Sequence, residues 1–262
     1  MDICTLWLGK KLRFCDQLCL RSMVKVGHHV KLYTYEEVEN VPKGVEICDA
    51  EPILPFSFIY RLDPYFPCEK KNITIVQFSD IFRVALMEKS QGFWLDSDVY
   101  LVKKLHIDKS KVWLAKENSK RVGVSAFYLP PNNPIITEFD KYLHSNQTIP
   151  NWLGFKRAVV RPQLLKLKKQ EVLPKNLGAT IFGNDGISRL ARKYGFFSQA
   201  HAKETFYYWT GRKAERIFMP RFGLEPLQHK DFLGFHIHRK QLTEQPAKKG
   251  SFYAWAIEQA EM

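Results

Sequence analysis

The stretch Phe78–Leu101, FSDIFRVALMEKSQGFWLDSDVYL, decides how this chain is read. Phe82, Ala85 and Leu86 fall at helical spacing, and the aliphatic stem of Lys89 extends the stripe. Ser79 suits an N-cap, so the spacing predicts a helix with Asp80 and Arg83 near its start. Gly92 suits the C-cap and closes it. Phe93-Trp94-Leu95 then reads as an apolar strand that ends in Asp96-Ser97-Asp98.

On the N-terminal side, apolar strands alternate with helical spacing. Ile3 to Leu8, Val30 to Tyr35 and Val45 to Ala50 read as strands, and Phe14 to Val26 as a helix. This βαβ rhythm argues for an α/β fold with a parallel or mixed sheet. Glu51 to Lys71 holds four prolines and five aromatics and is expected to be a long loop. On the C-terminal side, Lys111 to Ala115 and Val122 to Leu129 read as strands, with helices over Ile135 to His144 and Gly186 to Tyr194. No repeat or linker interrupts the chain. One domain over 1–262 is the simplest account, with a nucleotide-binding half at 1–101 and an acceptor-side half at 102–262.

Composition bounds the function. The 262 residues are 45% apolar and 26% charged, enough for a sizeable core and unlike a disordered tail. No run approaches the roughly 20 apolar residues that span a bilayer. With 40 Lys and Arg against 27 Asp and Glu, the net charge is +13, which favours anionic partners without choosing among them. That charge with 36 aromatics makes a nucleic-acid-binding module the alternative function; basic residues do not alternate with aromatics on strands as such a module requires, so nucleic acid is not an expected partner. The five cysteines show no CxxC and no histidine at zinc-ligand spacing, so reduced thiols in a cytoplasmic chain are expected. The segment Lys156 to Lys175 is basic and Leu-rich. It reads either as a solvated helix face or as a peripheral contact with acidic lipid on the inner face of the plasma membrane.

The acidic triplet carries the chemistry. On an extended chain residues i and i+2 share a side, so Asp96 and Asp98 are expected to face one cleft. Their hard oxygens suit Mg²⁺ or Mn²⁺ bridging two phosphates, where charge grows on a departing nucleoside diphosphate. Two acids at this spacing are common on solvated strand ends. Their place after an apolar strand adds weight, because open α/β sheets bind ligands outside the strands' carboxyl ends. A rival reading makes Asp96 the nucleophile of a haloacid-dehalogenase-type phosphatase and Asp98 its acid and base; that motif usually follows the first strand, and here three strand-like segments precede it. Asp80 and Arg83 share a helix face, which suits a plain ion pair. A functional pair would place Asp80 on sugar hydroxyls and Arg83 on a phosphate, with the helix N-terminus aimed at the ligand.

The run SDIFR (Ser79–Arg83), a short helix, a Gly and then WLDSDVYLVKKL (Trp94–Leu105) together resemble the DXD-containing glycosyltransferases. Members of that family carry S-D-x-x-R-y followed by G-G-x-Y-x-D-x-D. They include yeast-type initiating mannosyltransferases, lactosylceramide galactosyltransferases and bacterial capsule and lipo-oligosaccharide enzymes. Ser90-Gln91-Gly92 departs from the family's Gly pair. Ile3–Gly9, ICTLWLG, resembles the family's opening strand, which implies that Trp7 stacks on the nucleotide base beside Gly9. Phe182–Gly186 resembles a segment that approaches the donor sugar, which implies donor roles for Asn184 and Asp185; the family's Pro is missing there. Phe235–His238 resembles the C-terminal region that completes the metal site, which implies His236 and His238 as further ligands; the following Ser-Trp is missing.

The resemblance implies a GT-A nucleotide-diphospho-sugar transferase fold, with a mostly parallel sheet flanked by helices. It implies a metal-dependent hexosyltransferase that retains anomeric configuration, uses Mn²⁺ or Mg²⁺ and favours a UDP-sugar. The implied acceptor is a glycan or glycolipid of bacterial lipopolysaccharide, lipo-oligosaccharide or capsule. Asp80, Arg83, Asp96 and Asp98 are the implied catalytic set, with Ser97 on the donor.

Overall fold

The computed structural model describes residues 1–67, 73–237 and 240–261. β1 (Asp2–Leu6) leads through α1 (Phe14–Lys25) to β2 (His29–Thr34) and β3 (Val45–Asp49). A 3-10 turn at Phe56–Phe58 and α2 (Ile59–Leu62) precede the long α3 (Ile73–Glu88). β4 (Phe93–Leu95) and β5 (Val99–Leu101) flank the acidic triplet. β6 (Trp113–Asn118) and β7 (Arg121–Tyr128) pair as a hairpin ahead of α4 (Pro134–Leu143). A π-helical turn at Lys156–Val160 runs into α5 (Arg161–Leu167), then come α6 (Pro174–Leu177) and α7 (Asn184–Lys193). Short 3-10 segments lead to β8 (Gly234–His236), α8 (Lys240–Thr243) and α9 (Phe252–Glu261).

The main sheet has six strands in the order β3-β2-β1-β4-β7-β6. β3, β2, β1 and β4 run parallel, and β7 pairs antiparallel with both β4 and β6. All three residues of β4 are buried, as expected of a central strand covered on both faces. The order reverses at β1. β2 lies on one side and β4 on the other, so the carboxyl ends of β1 and β4 open a crevice between them.

A second, two-stranded sheet pairs β5 with β8. It sits over a smaller aromatic core that includes Tyr100, Phe235, Phe252 and Tyr253. α1 joins the two cores, because Leu20 and Met23 pack under the main sheet while Cys15, Leu18 and Cys19 pack into the smaller core. Cys4, Cys15, Cys19 and Cys48 are free thiols. Burial pushes the Cys4 thiol up to about 12 and that of Cys19 well up too. Cys68 lies outside the described residues.

Three local expectations are corrected. α3 starts at Ile73, so Ser79 is interior and accepts from Arg83 Nη2 at 3.1 Å instead of capping. Tertiary contacts extend this helix backward: Gln77 is buried and its amide donates to the carbonyls of Pro174 and Gly178 at 2.9 Å. That anchoring outweighs the weak helix propensity of Ile73-Thr74-Ile75-Val76. Second, α3 ends at Glu88 and Ser90 takes the left-handed turn at φ 56°, so Gly92 is not a cap. A Cβ at Gly92 would stand 2.6 Å from the Asp2 carbonyl, and its φ of 147° strains any side chain, so the close pass against β1 and the backbone conformation both require glycine. Third, the segment after Glu51 holds the helical pieces at Phe56–Phe58 and Ile59–Leu62, where a loop is expected from its prolines.

Candidate active site

Asp96-Ser97-Asp98 is a turn, not an extended strand end. The Val99 amide donates to the Asp96 carbonyl at 3.0 Å, and the chain folds back into β5. The same-side argument for an extended pair therefore does not apply; the turn and its neighbours set the carboxylates. Asp96 follows β4 directly. Its amide donates to the Ser125 carbonyl of β7 at 2.7 Å. Its Oδ1 accepts from Trp94 Nε1 at 2.7 Å and lies 3.3 Å from Arg83 Nη1. Oδ2 has no hydrogen-bond donor among the described residues.

β8 brings in the third group. Val99 pairs with His236, and the Ile237 amide donates to the Asp98 carbonyl at 2.8 Å. His236 Nε2 then lies 3.3 Å from Asp98 Oδ1, while Nδ1 sits 3.1 Å from the Ser125 hydroxyl. One ligand atom each from Asp96, Asp98 and His236 lie within 4.8 Å of one another. Two carboxylates and an imidazole, with the second ring nitrogen held by a hydroxyl, fit a divalent cation. The mixed set suits Mn²⁺ better than the all-oxygen preference of Mg²⁺. His238 lies outside the described residues.

Ser97 lines the same cavity as the two carboxylates, but its hydroxyl is engaged with α1. Its hydroxyl donates to Asp16 Oδ1 at 2.7 Å, and Asp16 is fully buried in the first turn of α1. Arg13 donates to the same carboxylate through Nε at 2.6 Å and Nη2 at 2.9 Å. Burial opposes the Arg13 charge, and these bonds more than restore it, so its pKa is raised. Nη1 has no acceptor among the described residues, and the guanidinium lies over the Trp7 ring, 5.1 Å from its centre.

A cavity of about 390 Å³ lies between these groups. Its polar lining includes Thr5, Arg13, Arg83, Asp96, Asp98 and His236. Trp7, Leu8 and Ile75 separate it from a second cavity of about 400 Å³ that Gly9, Tyr35, Glu36, Phe56 and Phe66 complete. Trp7 Nε1 and Thr5 Oγ1 are buried without a hydrogen-bond partner among the described residues. Unmet polar atoms at a cavity wall cost about 1–3 kcal/mol each unless a ligand or water meets them. Gly9 has φ 134°, a conformation that side chains strain to adopt.

Asp80, Asn184 and Asp185, also singled out in the sequence, lie off this lining, whereas Arg83 belongs to it. Asp80 is 3% exposed beneath Gly183, where a Cβ would stand 2.3 Å from its Oδ2. Burial pushes its carboxyl up to about 7 and Asp96 adds to the rise, while Arg83 Nη2 at 3.3 Å opposes it. Arg83 is also buried and gives Nη1 to the Val124 carbonyl at 2.7 Å, so it bridges Asp80, Asp96 and β7. Asn184 donates to Glu117 at 2.9 Å. Asp185 accepts from Thr180 and pairs with Arg121 at 2.8 Å and Arg157 at 2.5 Å. Arg13 and Asp16 carry no signal in the sequence; an Arg-x-x-Asp at a helix start is too common to mark a site.

Residues 65–156 match the model of a family described as capsular polysaccharide synthesis protein. The matched region holds Asp80, Arg83, Asp96 and Asp98. No curated protein matches the chain. Among solved structures, the chain is similar to one titled PaToxG Glycosyltransferase, at 15% identity and a TM-score of 0.41, over 76% of this chain and 86% of that one. At that score the likeness is too loose to argue from.

Proposed function

We propose that the chain is a metal-dependent glycosyltransferase that moves a hexose from a nucleotide sugar, with UDP-sugar favoured, to a glycan acceptor in the building of a bacterial surface polysaccharide. One observation carries this reading. Asp96, Asp98 and His236 converge at the carboxyl end of β4, where the strand order of a nucleotide-binding type of sheet reverses. The family match supports it and draws the acceptor toward capsular polysaccharide over lipo-oligosaccharide. The GT-A fold fits the parallel strands with an antiparallel extension at β7.

A divalent ion held by Asp96, Asp98 and His236 would act as a Lewis acid on the leaving diphosphate. The chain's own residues prepare the rest. Trp94 and Arg83 fix Asp96 Oδ1 and leave Oδ2 to bind. Ser125 orients the His236 ring when it accepts from Nδ1–H, which leaves the Nε2 lone pair for the ion. Arg13 Nη1, also on the cavity lining, supplies a cation to the departing phosphate. The Trp7 ring gives the base a stacking face, with the second cavity beyond it.

Among the described residues the cavity's carboxylates are Asp96 and Asp98, with no third one to act as an enzymic nucleophile. With the retention that the family resemblance implies, the step would be a front-face displacement. The acceptor oxygen bonds to the anomeric carbon on the side from which the diphosphate leaves. The carbon–oxygen bond to phosphate breaks, and a phosphate oxygen takes the acceptor's proton.

The test is a screen of UDP- and GDP-sugars with Mn²⁺, read by released nucleotide. A UDP-hexose that is hydrolysed with Mn²⁺ and spared in EDTA supports the reading. A thermal midpoint that Mn²⁺ with any sugar nucleotide leaves unchanged, together with no release, refutes it.

A further inference from the structure

Residues 155–169 present a surface that the donor site does not use. The run FKRAVVRPQLLKLKK holds six Lys and Arg and no acid. Pro162 and Leu165 are buried and fix the segment to the protein. The opposite face is apolar as well as basic: Phe155 is 73% exposed and Leu167 80%, with Leu164 half-exposed and Val159 more than a third.

The π-helical turn at Lys156–Val160 explains how these side chains come together. In an unbroken α-helix, at about 100° per residue, Phe155 and Leu164 would point to opposite sides. A wider turn advances only about 80° per residue over its five residues. The phase slips by about 100°, and Phe155, Val159 and Leu167 fall within a sector of about 60°. Lys156, Lys166, Lys168 and Lys169 make no ion pair with any described residue. The positive field continues beyond the segment. Gly154 abuts the Arg189 guanidinium, whose cavity of about 870 Å³ is also lined by Lys120, Arg121, Arg192 and Lys193.

We propose that residues 155–169 are a docking surface for an anionic lipid bilayer. Phe155, Leu164 and Leu167 enter the boundary between headgroups and acyl chains, and the lysines reach lipid phosphates while their stems lie along the apolar layer. Exposed leucine and phenylalanine together with unpaired lysines supply the two signals that stable peripheral binding needs. An acidic protein would pair the lysines but leave three large apolar side chains to be matched by a specific groove; a bilayer takes them without one. Arg157 of this segment holds Asp185, two residues beyond the Gly183 that covers Asp80. Where the transferase reading holds, docking here places the site next to acceptors carried in the membrane.

The test is sedimentation of the full chain with vesicles, a readout independent of glycosyl transfer. Vesicles of phosphatidylcholine alone and with about one-third phosphatidylglycerol are compared at low and high salt. Binding is expected only to the anionic vesicles, falling with salt. K166Q/K168Q/K169Q should weaken it roughly 100-fold, since each basic residue at the surface is worth roughly a factor of five. F155S/L167S should weaken it at least roughly tenfold. The control K230Q/K248Q/K249Q removes the same charge elsewhere and should leave binding in place. All three variants alter exposed side chains, so far-UV dichroism and thermal midpoint should match the parent. No sedimentation with anionic vesicles at low salt overturns the proposal. So does an equal loss in the control, or full binding by F155S/L167S. Salt-sensitive capture of a single-stranded oligonucleotide without vesicle binding assigns the face to nucleic acid and overturns it too.

Discussion

Asp80→Asn separates the charge of the buried carboxyl from its shape. Asp80 is 3% exposed and its nearest cation is Arg83 Nη2 at 3.3 Å. Burial outweighs that attraction, so the folded carboxyl titrates at about 7 against an ordinary value of 3.8. The folded chain therefore keeps a proton that the unfolded chain releases between about pH 4 and pH 7. The sign follows directly. This group's contribution to stability is most favourable below pH 4, declines as pH rises through the window, and is constant above about 7. At about 1.4 kcal/mol per pH unit, the two units from pH 5 to pH 7 are worth about 3 kcal/mol. The amide of the D80N variant cannot titrate. Urea unfolding of parent and D80N at pH 5 and pH 7.5 gives the double difference free of every other group. The variant should gain on the parent by about 2–3 kcal/mol at the higher pH. A gap that is the same at both pH values within about 0.5 kcal/mol refutes the argument, because Asp80 would then ionise as freely folded as unfolded.

Other changes probe the site from different sides. Asp98→Asn should abolish Mn²⁺-dependent release of nucleotide from the donor; full activity would remove Asp98 from the metal site. Ser125→Ala leaves all three ligands in place and should weaken Mn²⁺ binding about 10–100-fold by freeing the His236 ring, read from the Mn²⁺ dependence of rate or thermal midpoint. Gly183→Ala puts a Cβ 2.3 Å from Asp80 Oδ2 and should cost about 1–3 kcal/mol, a fall of several degrees in thermal midpoint. An unchanged midpoint would show that the loop yields freely. Arg13→Lys keeps the charge but loses the planar fork on Asp16, and should lower kcat/KM for the donor about tenfold; an unaltered kcat/KM would exclude Arg13 from the leaving phosphate.

Local pattern makes the frame of the fold legible. β1, α1, β2, β3, β4, the β6–β7 hairpin, α4 and α7 all lie close to where hydrophobic spacing puts them. Period-two and period-3.6 stripes are local and survive into the fold. The start of α3 is not legible, because Ile73 to Val76 lack helical preference and are held by contacts with Pro174 and Gly178, far away in sequence. Asp96 and Asp98 are visible as an acidic pair after an apolar strand, but their geometry comes from a turn.

What the sequence determined by itself is therefore a set of segments: strands of a parallel or mixed sheet, a helix carrying Asp80 and Arg83, and an acidic pair at a strand's carboxyl end. Tertiary structure alone decided how their side chains meet. His236 reaches Asp98 through the pairing of β5 with β8, two short strands far apart in the chain whose contact has no local signature. Arg13 faces the cavity because Asp16 and Ser97 hold it there. Asp80 left the cavity lining because Gly183 closes over it. Spacing along a chain fixes which side chains share one face of one element; which faces are then pressed together depends on burial, and burial belongs to the whole fold.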